Sequence, residues 1–462
     1  MAWSREETIG RDEMRRIQLG KLRRTVETIY ANNPVYRAMM DEAGATPERI
    51  RSLDDIRCLP FTTKQTIRDH YPFGLFTAPL EEIVEFHATS GTTGKPVVAG
   101  YTRNDIELWT EVMARACTGA GITRHDIVQN VYGYGLFTGG LGTHYGAMRV
   151  GAAVLPISGG NTQRQIMMMQ DFGSTVITST PSFLMHLHEV GQGMGVDFRA
   201  LPLRTGLFGA EPWSESMRET IDEAFGITAC DMYGLTEIIG PGVAFECCEV
   251  RNGLHINEDW FYPEIIDPGT GQARPEGELG ELVLTTLGKE GLALLRYRTR
   301  DITRLTREPC PCGRTLVRMA RVCGRTDDML IIRGVNFFPS QIESIVLRHP
   351  GVSPHYLVVV DRKGTLDEVE VRLEVTEEFL GQAAAGIIRG EVRDALRNVE
   401  AARRTAERVQ RDIKDSVGIT VRVTLVPPGT IPRSEGKARR TEDRRPEGIR
   451  TAAGPGTAGS PS

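Results

Sequence analysis

The sequence predicts an α/β protein with a large N-terminal domain of α/β subdomains, a β-rich segment and a small α+β C-terminal domain. Strand-like and helix-like segments alternate between residues 127 and 237, which is typical of a parallel sheet. From about residue 279 the pattern becomes β-rich, and a smaller mixed unit follows "CGRTDDMLIIRG". We therefore place the domains at 1–326 and 327–446, and we expect the low-complexity tail 447–462 to be disordered.

Helix caps and β-branched runs support the predicted alternation. Strands are expected at "DIVQNVY", "AAVLPI", "STVITS" and "RTGLFGA". The helix "NTQRQIMMMQDFG" has Asn161 or Thr162 as its N-cap, and its Met167–Met169 run is expected to fill the core. The next helix has Thr180 as its cap and Pro181 at its first position, and "SESMRETIDEAFG" predicts another.

The C-terminal part of the chain predicts a second, mixed unit. The β-rich stretches "GELVLTTL" and "ALLRYRTRDITRL" precede it. Within it we expect a helix from Pro339, strands at "HYLVVVDR" and "EVEVRLEV", and a last strand at "ITVRVTLVPP". A long helix over roughly 383–416 carries charges of both signs, which predicts a solvated face.

Length, charge and cysteine content disfavour several classes of protein. The chain has 462 residues, 40% hydrophobic residues and a net charge of −5 with both signs interspersed, which argues against a dedicated nucleic-acid binder. It has no apolar run of about 18 residues for a membrane span, and its charged N-terminus lacks the apolar core of a signal peptide. We expect a cytoplasmic protein, whose 8 cysteines do not form a dense disulfide framework.

The stretch "TSGTTGKP" has the composition of a phosphate-binding loop. Backbone N–H groups at glycines can approach an anion closely, and hydroxyl and ammonium groups add donors. Only two residues separate Gly91 from Gly94, and Pro96 follows Lys95, so the Walker spacing is absent. Since proline disfavours helix at the residue before it, the loop is not expected to open a helix. A hydrophilic hairpin is the alternative for this loop taken alone.

Three further stretches favour a nucleotide site. Tyr233 in "DMYGLTE" offers a ring that can stack on a purine, close to a carboxylate that can hold Mg²⁺. Asp301 ends "YRTRD" as an acid suited to both ribose hydroxyls, and Lys437 lies on a glycine-flanked loop in "PRSEGKARR". Each stretch alone is compatible with a solvated surface.

In this order the stretches resemble the adenylate-forming superfamily of acyl-CoA synthetases, luciferases and peptide-synthetase adenylation domains. Within it the chain is similar to the phenylacetate–CoA ligase family. The resemblance covers about residues 10–447 and is carried by "HATSGTTGKP", "YGYGLFTGGLGTHYGA", "SGGNTQRQ", "DFGSTVITSTPSFL", "GLFGAEPWSE", "DMYGLTEIIGPG", "GLHINEDWFYPEIIDP", "GRTDDMLIIRGVNFFPSQIE" and "PPGTIPRSEGKARR".

The resemblance implies a two-step reaction. A carboxylate attacks the α-phosphate of ATP, pyrophosphate leaves, and a thiol, usually of CoA, takes the acyl group from the adenylate. Tyr233 would stack on adenine, Asp301 would bind the ribose hydroxyls, and the loop would hold the β- and γ-phosphates. The residues implied in ATP or AMP binding are Ser90, Gly91, Thr92, Thr93, Gly94, Lys95, Gly209, Ala210, Glu211, Pro212, Asp231, Met232, Tyr233, Gly234, Thr236, Asp301 and Arg325.

The resemblance also implies four catalytic residues. Lys437 would bridge the carboxylate and the α-phosphate, and Thr236 would contact that phosphate. Glu237 would hold Mg²⁺, and Arg325 would lie near the ribose and phosphate. The small, mobile C-terminal domain is expected to rotate about Asp327 after adenylation, which would remove Lys437 and open the path for the thiol.

The segment "YGYGLFTGG" is implied in binding the acyl group. Its aromatic residues and glycines suit a flat ring between apolar walls, so an aromatic acid is expected, either phenylacetate or a substituted benzoate. The residues implied in this pocket are Tyr134, Phe137, Gly139, His144, Phe208, Gly209, Ile238 and Pro241. Core packing is the alternative for one or two of the aromatic residues and for His144. Met148 stands where many relatives have an acidic residue, which leaves the ring substituents open.

The "CPC" motif calls for a separate explanation. Cys310 and Cys312, together with Cys247 and His255, offer the ligands of a tetrahedral structural zinc site, which some relatives carry. The spacing within "CPC" is tighter than usual, so reduced thiols in turns are the alternative. The other cysteines are expected to be small buried residues, namely Cys58, Cys117, Cys230, Cys248 and Cys323.

Three functions are compatible with the sequence. The first is an AMP-forming aryl-acid–CoA ligase that uses ATP, Mg²⁺ and CoA, and the second passes the aryl adenylate to a carrier-protein thiol or an amine. The third, a nucleic-acid binder using "PRSEGKARRTEDRRPEGIR", is disfavoured because acids interrupt the patch and aromatic residues are absent from it. By analogy with relatives, a homodimer is also expected.

Overall fold

Parallel strands joined by helices form the centre of the larger of two units in the chain. The computed structural model describes residues 2–89, 95–327, 330–332, 335–363, 366–384, 396, 400–433 and 440–445. One unit comprises Met1–Glu211 and Ile221–Val322, and the other comprises Pro212–Thr220 and Cys323–Ser462.

The α-helices are α1 (Arg11–Asn32), α2 (Pro34–Glu42), α3 (Lys64–Asp69), α4 (Arg103–Gly119), α5 (Thr138–Val150), α6 (Thr162–Phe172), α7 (Pro181–Gly193), α8 (Glu215–Phe225), α9 (Ser340–Val346), α10 (Glu377–Ala384) and α11 (Glu400–Val417). The strands are β1 (Glu85–Ala88), β2 (Val98–Tyr101), β3 (Ile127–Asn130), β4 (Ala153–Leu155), β5 (Val176–Ser179), β6 (Thr205–Gly209), β7 (Thr228–Leu235), β8 (Gly240–Phe245), β9 (Leu254–Ile256), β10 (Phe261–Ile266), β11 (Gly280–Thr286), β12 (Tyr297–Thr303), β13 (Leu305–Thr306), β14 (Arg318–Met319), β15 (Gly324–Arg325), β16 (Leu330–Ile332), β17 (Val335–Phe337), β18 (Val352–Lys363), β19 (Leu366–Val375), β20 (Arg422–Val426) and β21 (Thr441–Asp443).

The central sheet has the order β13-β14-β9-β8-β7-β6-β5-β3-β4. Strands β4, β3, β5, β6 and β7 are parallel, while β8, β9, β14 and β13 extend the sheet by antiparallel pairing. Helices α5 to α8 connect the parallel strands, which confirms the predicted strand–helix alternation. The carboxyl ends of these strands meet at one edge, where ligands bind in open α/β sheets.

Local capping explains where two of these helices begin. The Asn161 side chain accepts a hydrogen bond from the N–H of Arg164, and Thr180 caps α7 with Pro181 at its first position. Both predicted caps are confirmed. The prediction for the methionine run is only partly right: Met169 is fully buried, whereas Met167 is 48% exposed because it lies on the outer side of α6.

Two smaller sheets complete the larger unit. Strands β1 and β2 form an antiparallel hairpin, and β10, β11 and β12 form an antiparallel sheet in the predicted β-rich region. Apolar residues of α1, α4 and β11 share one core with the central sheet. No helix within the described ranges combines the length and apolarity needed to cross a membrane.

The smaller unit has its own sheet and core. Strand order is β20-β19-β18-β21, with an antiparallel centre pair and parallel outer pairs, and β16 and β17 form a hairpin. The two predicted strands and the last strand are confirmed. Of the helix expected over roughly 383–416, α10 covers the first positions and α11 begins at Glu400; residues 385–395 and 397–399 lie outside the described residues, as does the tail 447–462.

The expectation that all five remaining cysteines are buried is wrong for three of them. Cys117 and Cys230 are fully buried. Cys58 and Cys248 are partly exposed and Cys323 is exposed, because they lie at element ends and in turns rather than under the sheet.

Candidate active site

The predicted phosphate loop connects two antiparallel strands. Its flanking residues, Ala88 of β1 and Val98 of β2, are paired in register. A strand follows the loop, so the expectation that it does not open a helix is confirmed. Residues 90–94 lie outside the described residues. Lys95 is exposed, and its Nζ atom lies 5.2 Å from the centroid of the Tyr71 ring.

A tight turn between β7 and β8 carries Thr236 and Glu237, and both side chains are buried. The Oε1 atom of Glu237 lies 3.2 Å from the Nζ atom of Lys64, the first residue of α3. On the main-chain side, the Nζ atom of Lys289 donates to the carbonyl oxygen of Glu237 over 3.4 Å. Two lysines therefore hold Glu237, one at its carboxylate and one at its backbone.

Lys289 is itself a buried cation. Its Nζ atom lies 4.9 Å from the centroid of the Tyr101 ring. Burial lowers the pKa of Lys289 to about 8, and the carboxylates of Asp105 and Glu237 oppose that shift only in part. Asp105 is held by the N–H groups of Glu290 and Gly291, both at 2.8 Å. This corner of the site thus contains charges of both signs that are removed from water.

Tyr233 and Asp301 come from different sheets and meet through one hydrogen bond. The Tyr233 hydroxyl donates to the Oδ2 atom of Asp301 at 2.6 Å. The register of β11 against β12 shifts between Glu281 and Val283, and Arg300 has a φ of 67°. Such bulges re-aim side chains next to functional sites. The bulge places the carboxylate of the buried Asp301 beside the aromatic ring.

The predicted adenine wall follows β6 at the carboxyl edge of the central sheet. A Cβ atom at Gly209 would lie 2.3 Å from the carbonyl oxygen of Met232, so glycine is required there. Ala210 has a φ of 71°, which is uncommon for a residue with a side chain. The Oε1 atom of Glu211 accepts a hydrogen bond from the N–H of Ser182 at 2.7 Å, which fixes this carboxylate at the N-terminus of α7.

Strand β7 holds the other residues implied beside adenine. The N–H of Asp231 donates to the Oε2 atom of Glu246 at 2.8 Å, and Met232 is buried. A Cβ atom at Gly234 would lie 2.0 Å from the carbonyl oxygen of Gly240. Glycine at 234 therefore allows β7 and β8 to approach each other just before the turn that carries Glu237.

A chain of hydrogen bonds crosses the predicted aryl pocket from β3 to α5. The Nδ2 atom of Asn130 donates to the Tyr134 hydroxyl at 2.7 Å, and that hydroxyl lies 3.1 Å from the Nδ1 atom of His144. Burial lowers the pKa of His144, which favours the neutral ring that accepts the hydroxyl proton. Phe137 is half-exposed, and a Cβ atom at Gly139 would lie 2.4 Å from its ring.

The remaining pocket residues lie deeper. Phe208, Ile238 and Pro241 are buried. The indole Nε1 of Trp109 donates to the carbonyl oxygen of Pro241 at 3.0 Å. A Cβ atom at Gly142 would lie 2.6 Å from the Trp109 ring, so α5 packs directly on this group. Any contact of these three residues with an acid would be made from the interior side of the pocket.

In the smaller unit, Arg325 and Asp327 bind each other. Nε of Arg325 lies 2.9 Å from Oδ1 of Asp327, and Nη2 lies 3.1 Å from Oδ2. The predicted ribose-side cation and the predicted hinge residue therefore form a two-point ion pair. Pro212 also belongs to this unit. Lys437 lies outside the described residues.

Three thiols and one imidazole converge at the predicted zinc site. The ligand atoms of Cys247, His255, Cys310 and Cys312 all lie within 4.8 Å of one another. The Sγ atoms of Cys247 and Cys310 are 3.8 Å apart, and the Sγ atom of Cys312 is 3.5 Å from Nε2 of His255. A tetrahedral zinc with bonds of about 2.0–2.3 Å gives edges of about 3.5–3.8 Å, so these atoms fit the ion. The distance of 3.8 Å between the Sγ atoms of Cys247 and Cys310 is too long for a disulfide bond.

Several residues around the site carry no signal in the sequence. Lys64, Trp109 and Lys289 are far along the chain from the residues they contact, and single lysines and tryptophans are common. His87 and Tyr145 lie inside the motifs "HATSGTTGKP" and "YGYGLFTGGLGTHYGA", but only their contacts in the folded chain distinguish them from the other residues there. The order of these residues in the sequence does not reveal that the fold places them next to β7 and α5.

Met148 lies away from the interior of the pocket. Its side chain, on α5, is 58% exposed. The position that leaves the ring substituents open therefore lies on an outer face of this helix.

Comparisons with known proteins agree over nearly the whole chain. The family of AMP-binding enzymes matches residues 26–288, and the AMP-binding enzyme C-terminal domain matches residues 334–445. The chain is 51% identical over 440 residues to the phenylacetate-coenzyme A ligase of Thermus thermophilus, covering 95% of this chain and 98% of the relative. The enzyme of the same name from Escherichia coli is 47% identical, with 95% and 97% covered. A solved 2-hydroxyisobutyryl-CoA ligase in the postadenylation state with 2-HIB-AMP superimposes with a TM-score of 0.87 at 28% identity, over 96% of this chain and 92% of that one.

Proposed function

Because the chain belongs to the phenylacetate–coenzyme A ligase family of AMP-binding enzymes, we propose that it activates phenylacetate or a closely related aryl acid with ATP and transfers the acyl group to CoA. The similarity over nearly the full length to ligases of that name carries this proposal. ATP, CoA and a carboxylic acid are then its substrates, and AMP and pyrophosphate leave.

The nucleotide would lie across the carboxyl edge of the central sheet. We assign adenine to the face of Tyr233 and the ribose hydroxyls to Asp301, since one hydrogen bond holds the ring and the carboxylate side by side. Gly209 to Pro212 would wall the base, with Asp231, Met232 and Gly234 behind it. The loop from Ser90 to Lys95 would hold the β- and γ-phosphates.

Phosphate chemistry is assigned to the turn after β7 and to the smaller unit. Thr236 would contact the α-phosphate, and Glu237, already buried beside Lys64, would hold Mg²⁺. Bound Mg²⁺ would neutralise charge on the phosphates. Lys437 would neutralise the attacking carboxylate and the α-phosphate, with Arg325 near the ribose. We place the domain boundary at 326/327, with Asp327 as hinge.

The aryl group is assigned to the segment from Tyr134 to His144. The Tyr134 hydroxyl is held within the chain by Asn130 and His144, and the ring faces and glycines of the segment would contact the acid. Phenylacetate fits such a pocket without needing a polar partner for its ring. Substituted benzoates are the second choice.

We further propose structural zinc at Cys247, His255, Cys310 and Cys312. The separations of 3.8 Å between Cys247 and Cys310 and of 3.5 Å between Cys312 and His255 match the edges of a tetrahedral site. Metal analysis of protein purified without added metal should give about one zinc per chain. A zinc content near zero, with the thiols open to a thiol reagent, would exclude the site.

A homodimer is the proposed assembly, and light scattering on a sizing column tests it.

Pyrophosphate release with a panel of acids tests the reaction. Phenylacetate and substituted benzoates are compared with acetate and 2-hydroxyisobutyrate, each with and without CoA, and thioesters are identified by mass. Release with phenylacetate and a phenylacetyl-CoA product are expected. Release without thioester would favour a carrier-protein thiol or an amine as acceptor, and no acid-dependent release would reject the proposal.

A further inference from the structure

His87 is a buried histidine with no assigned part in the reaction. It lies on β1, shortly before the loop assigned to the phosphates, and its side chain is 1% exposed. A histidine buried to this degree must satisfy both ring nitrogens within the protein, because an unpaired buried polar atom is costly.

Both nitrogens of His87 reach named partners. The Nδ1 atom lies 3.0 Å from the carbonyl oxygen of Leu136, and the Nε2 atom lies 2.6 Å from Oε1 of Glu85. A carbonyl oxygen can only accept, so Nδ1 carries a proton. The second carboxylate oxygen of Glu85 accepts from the Tyr145 hydroxyl at 2.8 Å. Burial would raise the pKa of Glu85, but the hydrogen bonds from His87 and Tyr145 outweigh it and lower the pKa.

The hydrogen bonds of His87 and Glu85 lead at both ends to the region of the predicted aryl pocket. Leu136 precedes Phe137 in the pocket segment, and Tyr145 follows His144 on α5. The carbonyl oxygen of Leu136 also accepts the N–H of Ala88 at 3.0 Å. Strand β1 therefore binds the carbonyl oxygen of Leu136 with two hydrogen bonds, one from its backbone and one from the His87 side chain.

Aromatic packing fixes the orientation of the imidazole. Its ring stands edge-on to the rings of Tyr101 and Trp109, each at a centroid distance of 5.5 Å. Trp109 in turn meets Tyr145 edge-on at 5.8 Å. The histidine cannot turn away from Leu136 without moving these buried rings.

We propose that His87 is a positioning residue that couples the phosphate loop to the aryl pocket, so that ATP and the aryl acid each strengthen the binding of the other. The loop follows β1 in the sequence, so a shift of β1 on binding of ATP would move the hydrogen bonds to Leu136 with it. Coupling of this kind is reciprocal, so either ligand reports it. The inference depends on the proposed function, because it needs an aryl acid in the pocket.

Two isosteric variants separate the contributions of the two ring nitrogens of His87. In His87→Asn the side-chain amide replaces Nδ1 and keeps a donor for Leu136, while in His87→Gln it replaces Nε2 and keeps a donor for Glu85 only. The dissociation constant of a non-hydrolysable ATP analogue is measured by calorimetry with and without saturating phenylacetate. In the unchanged protein we expect phenylacetate to tighten binding about fivefold or more. His87→Asn should retain this effect, and His87→Gln should reduce it to within about twofold of no effect.

Any other pattern would overturn the inference. If phenylacetate does not bind the unchanged protein, the proposed function fails with it, whereas binding of both ligands without coupling overturns the inference alone. Hydrogen exchange on the unchanged protein gives a test that needs no variant. The ATP analogue alone should protect peptides covering residues 133–145, and phenylacetate alone should protect residues 85–89; absence of both effects would also overturn the inference.

Discussion

The part of the site assigned to the nucleotide and the part assigned to the aryl acid, called here the nucleotide side and the aryl side, are built differently. On the nucleotide side, carboxylates from separate elements are already bound to partners, as in the Glu237–Lys64 ion pair and the Tyr233–Asp301 hydrogen bond. The aryl side comes mostly from one segment, whose Tyr134 is held by the neutral side chains of Asn130 and His144. The carboxylate of Glu85 binds His87 and Tyr145 outside that segment. One side thus depends on charge and the other on shape.

This difference has a consequence for ligand binding. An ionic group that already has a partner must exchange or share it when phosphate and metal arrive, so variants there should alter ATP use strongly. Neutral groups that hold each other only shape the pocket, and their loss costs about 1 kcal/mol each. Substitutions on the nucleotide side should therefore change catalysis strongly, and substitutions on the aryl side should change it weakly.

The largest effect is expected for Lys437→Ala. Loss of the cation between carboxylate and α-phosphate should slow adenylation about 10²–10³-fold, while thioester formation from a supplied acyl-adenylate stays nearly unchanged. Adenylation is measured as acid-dependent pyrophosphate release. Lys414→Ala, which removes an exposed lysine of α11, is the matched control. Equal loss of both half-reactions would contradict the role assigned to Lys437.

Asp301→Asn should come next. The amide keeps an acceptor for the Tyr233 hydroxyl, so the ring stays in place, but the charge that would bind the ribose hydroxyls is lost. A charged hydrogen bond contributes about 1.5–3 kcal/mol, so KM for ATP should rise about tenfold to a hundredfold at constant KM for the acid. The exposed Asp171 on α6 supplies the control Asp171→Asn. A larger rise for the acid than for ATP would place Asp301 on the other side of the site.

Tyr134→Phe should have a smaller effect confined to the acid. It removes the hydroxyl that Asn130 and His144 share but leaves the ring. With about 1 kcal/mol lost, KM for phenylacetate should rise about fivefold, and KM for ATP should change less than about twofold. Tyr30→Phe, at an exposed hydroxyl that binds Asp41, is the control. If KM for ATP rises equally, the division between the two sides does not hold.

The same contrast explains what could be predicted from the sequence. Periodicity and caps predicted the alternating strands and helices, because Asn161 and Thr180 act locally. The convergence of three thiols and one imidazole was predicted because few roles other than metal binding require such a set. Lys64 and Lys289 were missed, since each acts on Glu237 from a distant part of the chain. The bulge that aims Asp301 depends on the pairing of β11 with β12, which a single sequence does not reveal.

Stability, rather than activity, shows whether the nucleotide side retains a charge that is costly to bury. Burial lowers the pKa of Lys289 to about 8, from a reference value of 10.5. Between those two pH values the unfolded chain binds one more proton at this residue than the folded protein does, so the free energy of unfolding should rise with pH. The slope is at most about 1.4 kcal/mol per pH unit, and it should vanish well below pH 8.

Lys289→Met isolates this contribution. Urea unfolding of both proteins at about pH 7 and about pH 9.5 gives their stability difference at each pH. The free energy of unfolding of the unchanged protein, relative to that of the variant, should increase as the pH rises. Burial also lowers the pKa of Lys21 to about 8, but Lys21 is present in both proteins, so its contribution to the difference cancels. A difference that stays flat would mean that Lys289 titrates normally when folded. A rising difference would mean that the fold keeps the desolvated cation of Lys289 beside Glu237, although a neutral side chain would cost less free energy to bury. Such a cation is expected where it holds the backbone of a carboxylate on the phosphate side of the site.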